Sequence, residues 1–432
     1  MNRNEKILIF TDEISTRLVY TLSIVLKSRD IWYELTNDPI VFTNAHQPKL
    51  VYSNRPFNEE YLTLSPAELL FEENVMPKKL EKDHWFGEEI LSINNELDPL
   101  ASVFYVITCY EEYTHTNRDM HNRFQAKDSI LYKFNWLEKL IVERWSLAFI
   151  QFIEKGLKIK LNITQPAYQL IPTFDIDHAF AYKNKSKLRR SLGTLKDAIY
   201  FKKERIRERK AVVHGKKDDP FDTYSKMVAF SNKGFPVYVF WLLGDFGTYD
   251  KNIHFDNPHQ KKLIQELSKK VTIGLHPSYK SNEILSQLAI EKKRLSTIIG
   301  EEVSISRQHF LKIDFPYTYK HLIKNGFTDD FSLGFVDHVG FRAGIARSFN
   351  WFNLTSNSEE DLVIHPIAYM DGTLKDYMKL NIEEAMTKIS QLKKEVKEYG
   401  GDFVFIWHNN TIGKDPAWSA WSKLLNYTIN ND

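Results

Sequence analysis

The chain has 432 residues, 43% hydrophobic and 26% charged, which is enough apolar material for two or three packed units and excludes a disordered chain. A formal net charge of +2 implies no global electrostatic partner, and the single cysteine, Cys109, excludes an internal disulfide framework and a cysteine-rich zinc site. The apolar run Lys6–Phe10 is too short for a signal peptide and no later run approaches membrane-spanning length, so the expectation is a cytoplasmic protein.

Lys6 to Phe10 reads as a first buried strand, and Thr16 to Leu26 as a helix with apolar Leu18, Leu22 and Val25 on one side. Short strands are expected at Ile40–Phe42 and Lys49–Tyr52. This α/β unit has no glycine-rich phosphate loop and no cluster of His or Asp. Asp98 to Tyr113 reads as an apolar helix, with Asp98 as its N-cap and Pro99 as its first helical residue. After a loop-like stretch over 122–132, Leu137 to Lys155 forms a second strong helix. The domain boundary then falls within 156–164, giving an N-terminal accessory domain over 1–160 and a second domain over 161–432.

Beyond Gln165 strands and helices alternate. Strands are expected at Tyr168–Phe174, Pro236–Leu243, Val271–Leu275, Val303–Ser306, Thr328–Ser332, Leu362–Pro366 and Asp402–Trp407. Helices are expected over Thr223–Lys233, His259–Lys269, Asn282–Ile299, Pro316–Lys324 and Ile382–Tyr399. Seven strands in such alternation predict a parallel, barrel-like sheet whose functional groups sit at the carboxyl ends of the strands.

The strand tips carry Asp175 and Asp177, Asp245, His276, Arg307 with His309, Asp329 with Asp330, Asp371, and His408. The first tip is the pivot. An apolar run ends in Pro172-Thr173-Phe174-Asp175-Ile176-Asp177-His178, and unpaired buried charge is too costly for the middle of a strand. The strand therefore ends at an opening, with the groups that metal-assisted hydrolysis requires. The alternative for this stretch alone is an Asp cluster capping the next helix. Recurrence of ionisable groups at nearly every tip favours the functional reading.

One segment breaks the alternation. Lys183 to Lys217 holds fourteen Lys or Arg against three acids and falls between the first strand and its helix, on the catalytic face. It reads either as a solvated helical excursion or as a basic surface for an anionic glycan, a lipid-pyrophosphate sugar or an anionic membrane. The basic residues are confined to this insert and no zinc finger, helix-turn-helix or RNA-binding signature accompanies them, so no nucleic-acid partner is expected.

Four ordered motifs carry a resemblance: Thr173-Phe174-Asp175-Ile176-Asp177, Gly274-Leu275-His276-Pro277-Ser278-Tyr279, Ser306-Arg307-Gln308-His309-Phe310 and Trp407-His408-Asn409. In these the chain resembles the polysaccharide deacetylases, the NodB-homology proteins of carbohydrate esterase family 4. It is similar to the large polysaccharide deacetylase family proteins of Bacteroidetes-type bacteria in Trp241–Gly247, Gly340–Gly344, Met370–Leu374 and Asp98–Tyr113. The resemblance implies a distorted (β/α)7-type, NodB-like barrel after a smaller α/β domain. It also implies metal-dependent removal of acetyl groups from a carbohydrate or glycan precursor, with an acetamide expected and an acetyl ester as the alternative.

Carried over residue by residue, the resemblance makes Asp175 the general base, Arg307 its orienting partner and His408 the acid that protonates the leaving amine. Asp177 and His276 become ligands of a divalent metal ion, with zinc expected. Phe310 falls near the aromatic residue whose N–H helps to bind the oxyanion. Apart from the resemblance, the rings of Tyr279 and Trp407 read as further substrate contacts that stack on a sugar, with core packing as the alternative. The family's second metal histidine would fall at Lys280, and a protonated lysine is a poor ligand. His309, standing where a proline is usual, is taken as the third ligand, with His178 as second choice. The competing reading is a non-catalytic carbohydrate-binding or glycan-assembly protein on a degenerate deacetylase fold. The expected partner is an acetylated sugar or glycan, nucleotide- or lipid-linked, with peripheral membrane contact through the basic insert.

Overall fold

The computed structural model describes residues 6–57, 60–413 and 417–430. The N-terminal part builds a parallel sheet from β1 (Ile7–Thr11), β2 (Tyr33–Thr36), β3 (Lys49–Tyr52) and β4 (Leu62–Leu64), in the order β2-β1-β3-β4. Ile40–Phe42, expected as a strand, lies instead in a helix, Pro39–Asn44. The Asp38 side chain accepts the N–H groups of Ile40 and Val41, and Pro39 takes the first helical position, a start signal that outweighs three apolar residues. A three-stranded antiparallel sheet follows, β5 (Leu80–Trp85), β6 (Glu88–Ile93) and β7 (Glu96–Leu97). The apolar helix begins at Pro99 on its Asp98 cap but stops at Ile107. Cys109 has φ of 51°, and a separate short helix, Glu111–Thr114, resumes beyond it. The second strong helix spans Ile141–Leu157 and so includes Gly156.

The second sheet contains β8 (Tyr168–Ile176), β9 (Tyr238–Trp241), β10 (Thr272–Leu275), β11 (Ile305–Ser306), β12 (Asp329–Asp330), β13 (Phe349–Asn353), β14 (Ser358–Ile364), β15 (Tyr369–Met370) and β16 (Gly401–His408). Its order is β13-β14-β12-β11-β10-β9-β8-β16-β15, parallel throughout except for the β13–β14 hairpin. All seven expected strands are present; β13 and β15 are additions.

Two observations show that this sheet curls into a barrel. First, β14 and β15 stand at opposite ends of eight parallel strands yet are joined by only residues 365–368. A flat sheet would separate them by about 34 Å, whereas a four-residue link reaches about 17 Å. Second, Ile171, Phe240, Val404 and Ile406 from strands of the sheet, Phe331 just beyond β12 and Ile367 from the link pack into one small cluster apart from the main core. Alternation does the rest: Phe174, Val239, Trp241, Phe403, Phe405 and Trp407 turn the other way, into the main core.

The main core is continuous through both parts of the chain. Buried ion pairs cross the same boundary: Arg342 grips Glu112 at 2.8 and 2.5 Å, and Arg347 pairs with Glu143, which also holds Arg29 of its own part. The N-terminal part is thus a built-in wall of the barrel's surroundings. Among the described residues no helix is long and apolar enough to cross a membrane.

Candidate metal centre

The strand period assembles the site. Asp175 continues the inward row of Ile171 and Thr173 on β8, and Asp177, two residues on, falls on the same side just past the strand end. His276 immediately follows β10, Arg307 immediately follows β11, and His408 is the last residue of β16, in register with Asp175.

Asp177, His276 and His309 each offer a ligand atom, and these atoms lie within 4.8 Å of one another. His276 Nε2 is 3.4 Å and His309 Nε2 3.7 Å from Asp177 Oδ1. That oxygen is buried and has no hydrogen-bond partner among the described residues. Both imidazoles are locked by their other nitrogen. His276 Nδ1–H donates to the Arg307 carbonyl at 2.6 Å, and His309 Nδ1–H donates to Asp250 Oδ1 at 3.0 Å. Nε2 is therefore the nitrogen that each ring turns toward Asp177 Oδ1. An orphaned carboxylate oxygen with two such imidazoles is the donor set of a three-ligand divalent site, and the residues present fit a cation. Burial works against the charge of Asp177, but the surrounding His309, His276 and His408 hold its carboxyl well below the usual range.

Beside this cluster, Asp175 is buried and its Oδ1 accepts from Arg307 Nη1 at 2.9 Å. Arg307 is fully buried, donates Nε–H to the Phe331 carbonyl at 2.9 Å and lies 4.2 Å over the Phe240 ring. The other Asp175 oxygen is 3.8 Å from His276 Nε2. On the opposite side His408 presents Nε2 3.9 Å from Asp177 Oδ2, while its Nδ1–H donates to Asp371 Oδ1 at 2.8 Å. Asp371 is itself fixed by the His408 and Gly372 N–H groups and the Thr411 hydroxyl. Burial disfavours a charged His408, but Asp371, helped by Asp177 and Asp175, overrides it and raises the imidazole to about 10.

The structure thus brings together Asp175, Asp177, His276, Arg307, His309 and His408. Lys280 is exposed, and its backbone N–H donates to Asp250 Oδ2 at 3.3 Å. His178 is outside the cluster, its ring stacked on Phe221. Trp407 is a correction: it is 0% exposed, faces the helix side of β16 and donates its indole N–H to Tyr369, so it has no surface for a sugar. Tyr279 is only 8% exposed, enclosed by Tyr249, Phe310, His121 and the Lys312 ammonium, so it supports the rim and is not an open stacking platform. Phe310 is half-buried in the same aromatic group, with left-handed φ of 63°. Asp245, at a strand tip, pairs with Arg294 away from the cluster.

Three residues escaped the sequence reading. Asp250 sits in the loop beyond β9 and holds His309; it also accepts the Tyr279 N–H at 2.9 Å. His121 and Arg123 come from the N-terminal part. His121 packs on Phe310, Tyr249 and Tyr279, and Arg123 Nη1 donates to the Phe310 carbonyl at 3.0 Å. Their positions in a polar loop give no periodic signal.

A family model described as a family of unknown function, DUF7033, matches residues 7–158. No curated protein matches the chain. Among solved structures, it is similar to a Mycobacterium smegmatis protein described as a polysaccharide deacetylase (13% identity, TM-score 0.39, 61% of this chain and 85% of that one). It is also similar to Puue allantoinase (10%, 0.36, 60% and 83%) and to a polysaccharide deacetylase from Bacillus cereus (9%, 0.29, 62% and 86%). Likenesses this distant transfer no residue role.

Proposed function

We propose that the chain is a metal-dependent hydrolase that removes acetyl groups, from nitrogen, on a carbohydrate or glycan precursor. The observation that carries this reading is the convergence of His276 and His309 Nε2 on the unpartnered Asp177 oxygen, between an Arg-held carboxylate and a carboxylate-held imidazole.

In this reading Asp177, His276 and His309 hold the divalent ion, with zinc expected from the mixed nitrogen and oxygen set. When bound, such an ion activates water near neutral pH and polarises a carbonyl. Asp175 is the base. Arg307 fixes its orientation, so that it takes a proton from water attacking the acetyl carbon. The Phe310 N–H is the proposed oxyanion donor, a contribution of roughly 3–4 kcal/mol where such donors have been removed. His408, charged through its pairing with Asp371, gives its proton to the sugar nitrogen as the C–N bond breaks. Acetate and a free amino sugar leave.

The test is acetate release from N-acetylated sugars and from their nucleotide- and lipid-linked forms, with the metal-loaded wild type beside Asp175→Asn. Release by the wild type and its loss in the variant is the expected result. Undiminished release by Asp175→Asn would remove the base from the account.

A further inference from the structure

The basic insert folds as a helical hairpin, Lys187–Ile199 and Lys203–Val213. Its first helix is packed inside out. Asp197 is buried and paired with Arg209 of the second helix, and the Arg209 guanidinium lies against Gly193, where any Cβ would collide with it. With its polar side spent on that contact, the helix turns its apolar side outward. Leu192, Leu195 and Ile199, spaced three and four apart, are 56%, 58% and 62% exposed. Tyr200 and Phe201 extend the stripe at 64% and 84%. A helix on a soluble domain normally does the reverse. Five large apolar side chains in one exposed row mark a surface that something covers.

The rim of the stripe is cationic. Lys187, Lys196, Lys202, Lys203, Arg205 and Arg207 are all exposed, and the whole insert carries fourteen Lys or Arg against three acids. A second copy docked face to face would oppose this basic rim with its own. An anionic bilayer meets both demands at once, taking the apolar row between its headgroups and the cations on its phosphates. We propose that the stripe Leu192, Leu195, Ile199, Tyr200 and Phe201 docks the protein onto an anionic lipid surface.

The docking helix is tied to the metal centre. Arg189 donates to the carbonyls of Asn252 and Lys251 and lies 4.7 Å over exposed Phe246. The same loop carries Asp250, the residue that holds His309. The hairpin also leaves the barrel at the tip of β8, on the face where the site opens. Resting on the deacetylase reading, this geometry selects as substrate class a sugar carried on a membrane lipid.

The experiment is sedimentation of the full chain with vesicles of phosphatidylcholine alone and of phosphatidylcholine with phosphatidylglycerol. The wild type is expected to bind the anionic vesicles, weakly if at all the neutral ones, and less as salt rises. The double variant Leu195→Ser, Phe201→Ser, at exposed positions, is expected to keep its melting temperature and bind at least about tenfold more weakly. Absence of wild-type binding, equal binding by the variant, or self-association or capture of a protein partner that the variant abolishes while vesicles are ignored would each overturn the proposal. Vesicle binding needs neither metal nor turnover. Binding without acetate release from any sugar would keep the docking surface and remove the catalytic reading; acetate release from soluble sugars without binding would do the opposite.

Discussion

Asp250 Oδ1 stands 3.0 Å from His309 Nδ1 across 59 residues of sequence, and this contact fixes which nitrogen of His309 faces the cluster. The carboxylate is buried and kept ionised by His309 and the Tyr279 N–H against the cost of burial. Asp250→Asn retains an acceptor but loses the charge that makes His309 a stronger donor to a metal. Metal affinity is expected to fall about ten- to hundredfold, as for other partners of metal-bound histidines. Competition with a chromogenic chelator measures it; unchanged affinity would exclude Asp250 from the centre.

His408 and Asp371 should separate amide from ester chemistry. Amines are poor leaving groups and need a proton, so His408→Ala is expected to reduce amide hydrolysis about 100-fold or more, and hydrolysis of an activated acetyl ester far less. Asp371 is the main reason His408 lies near 10, above its ordinary value. The alkaline limb of the rate profile should therefore move down by at least about one pH unit in Asp371→Asn. Equal losses on both substrates would assign His408 another role.

Arg123 links the N-terminal part to the site by holding the Phe310 carbonyl, in a residue whose left-handed φ of 63° a Phe rarely adopts. Arg123→Ala is expected to lower kcat about ten- to hundredfold by misplacing the Phe310 N–H, with metal occupancy retained. Loss of metal as well would mean that Arg123 supports the His309 loop as a whole.

Stability carries its own pH signature. Burial raises the Glu111 carboxyl to about 7, although the Ser129 hydroxyl and the Ile130 N–H bond to it. The folded chain then holds a proton that the unfolded chain releases near pH 4.3. The contribution is complete below that value and lost as pH rises through about 7, on the order of 3 kcal/mol in all. Glu111→Gln should flatten this part of the stability curve, read by urea unfolding at pH 4.5 and pH 7.5. An unchanged slope would contradict the assignment.

The barrel strands and their tips were legible because alternation and carboxyl-end placement are local rules. Asp175, Asp177, His276, Arg307, His309 and His408 all lie in the last two residues of a strand or within three residues beyond one. The same alternation argued against Trp407, since the neighbour of an inward His408 must face outward. Asp250, His121 and Arg123 were not legible, because irregular loops from distant parts of the chain bring them to the site. The β5–β6 hairpin was missed because β5 is charged and exposed along most of its length, leaving no apolar period. Ile40–Phe42 has strand-like apolar character, but the Asp38–Pro39 helix start overrides it.

The central claim is that Asp177, His276 and His309 hold one metal ion. Elemental analysis of the purified wild type beside His276→Ala and His309→Ala tests it most directly. The account predicts near-stoichiometric divalent metal in the wild type and its loss in both variants. A wild type that takes up no metal after incubation with zinc, cobalt or nickel, or a His309→Ala variant that retains it fully, would contradict it.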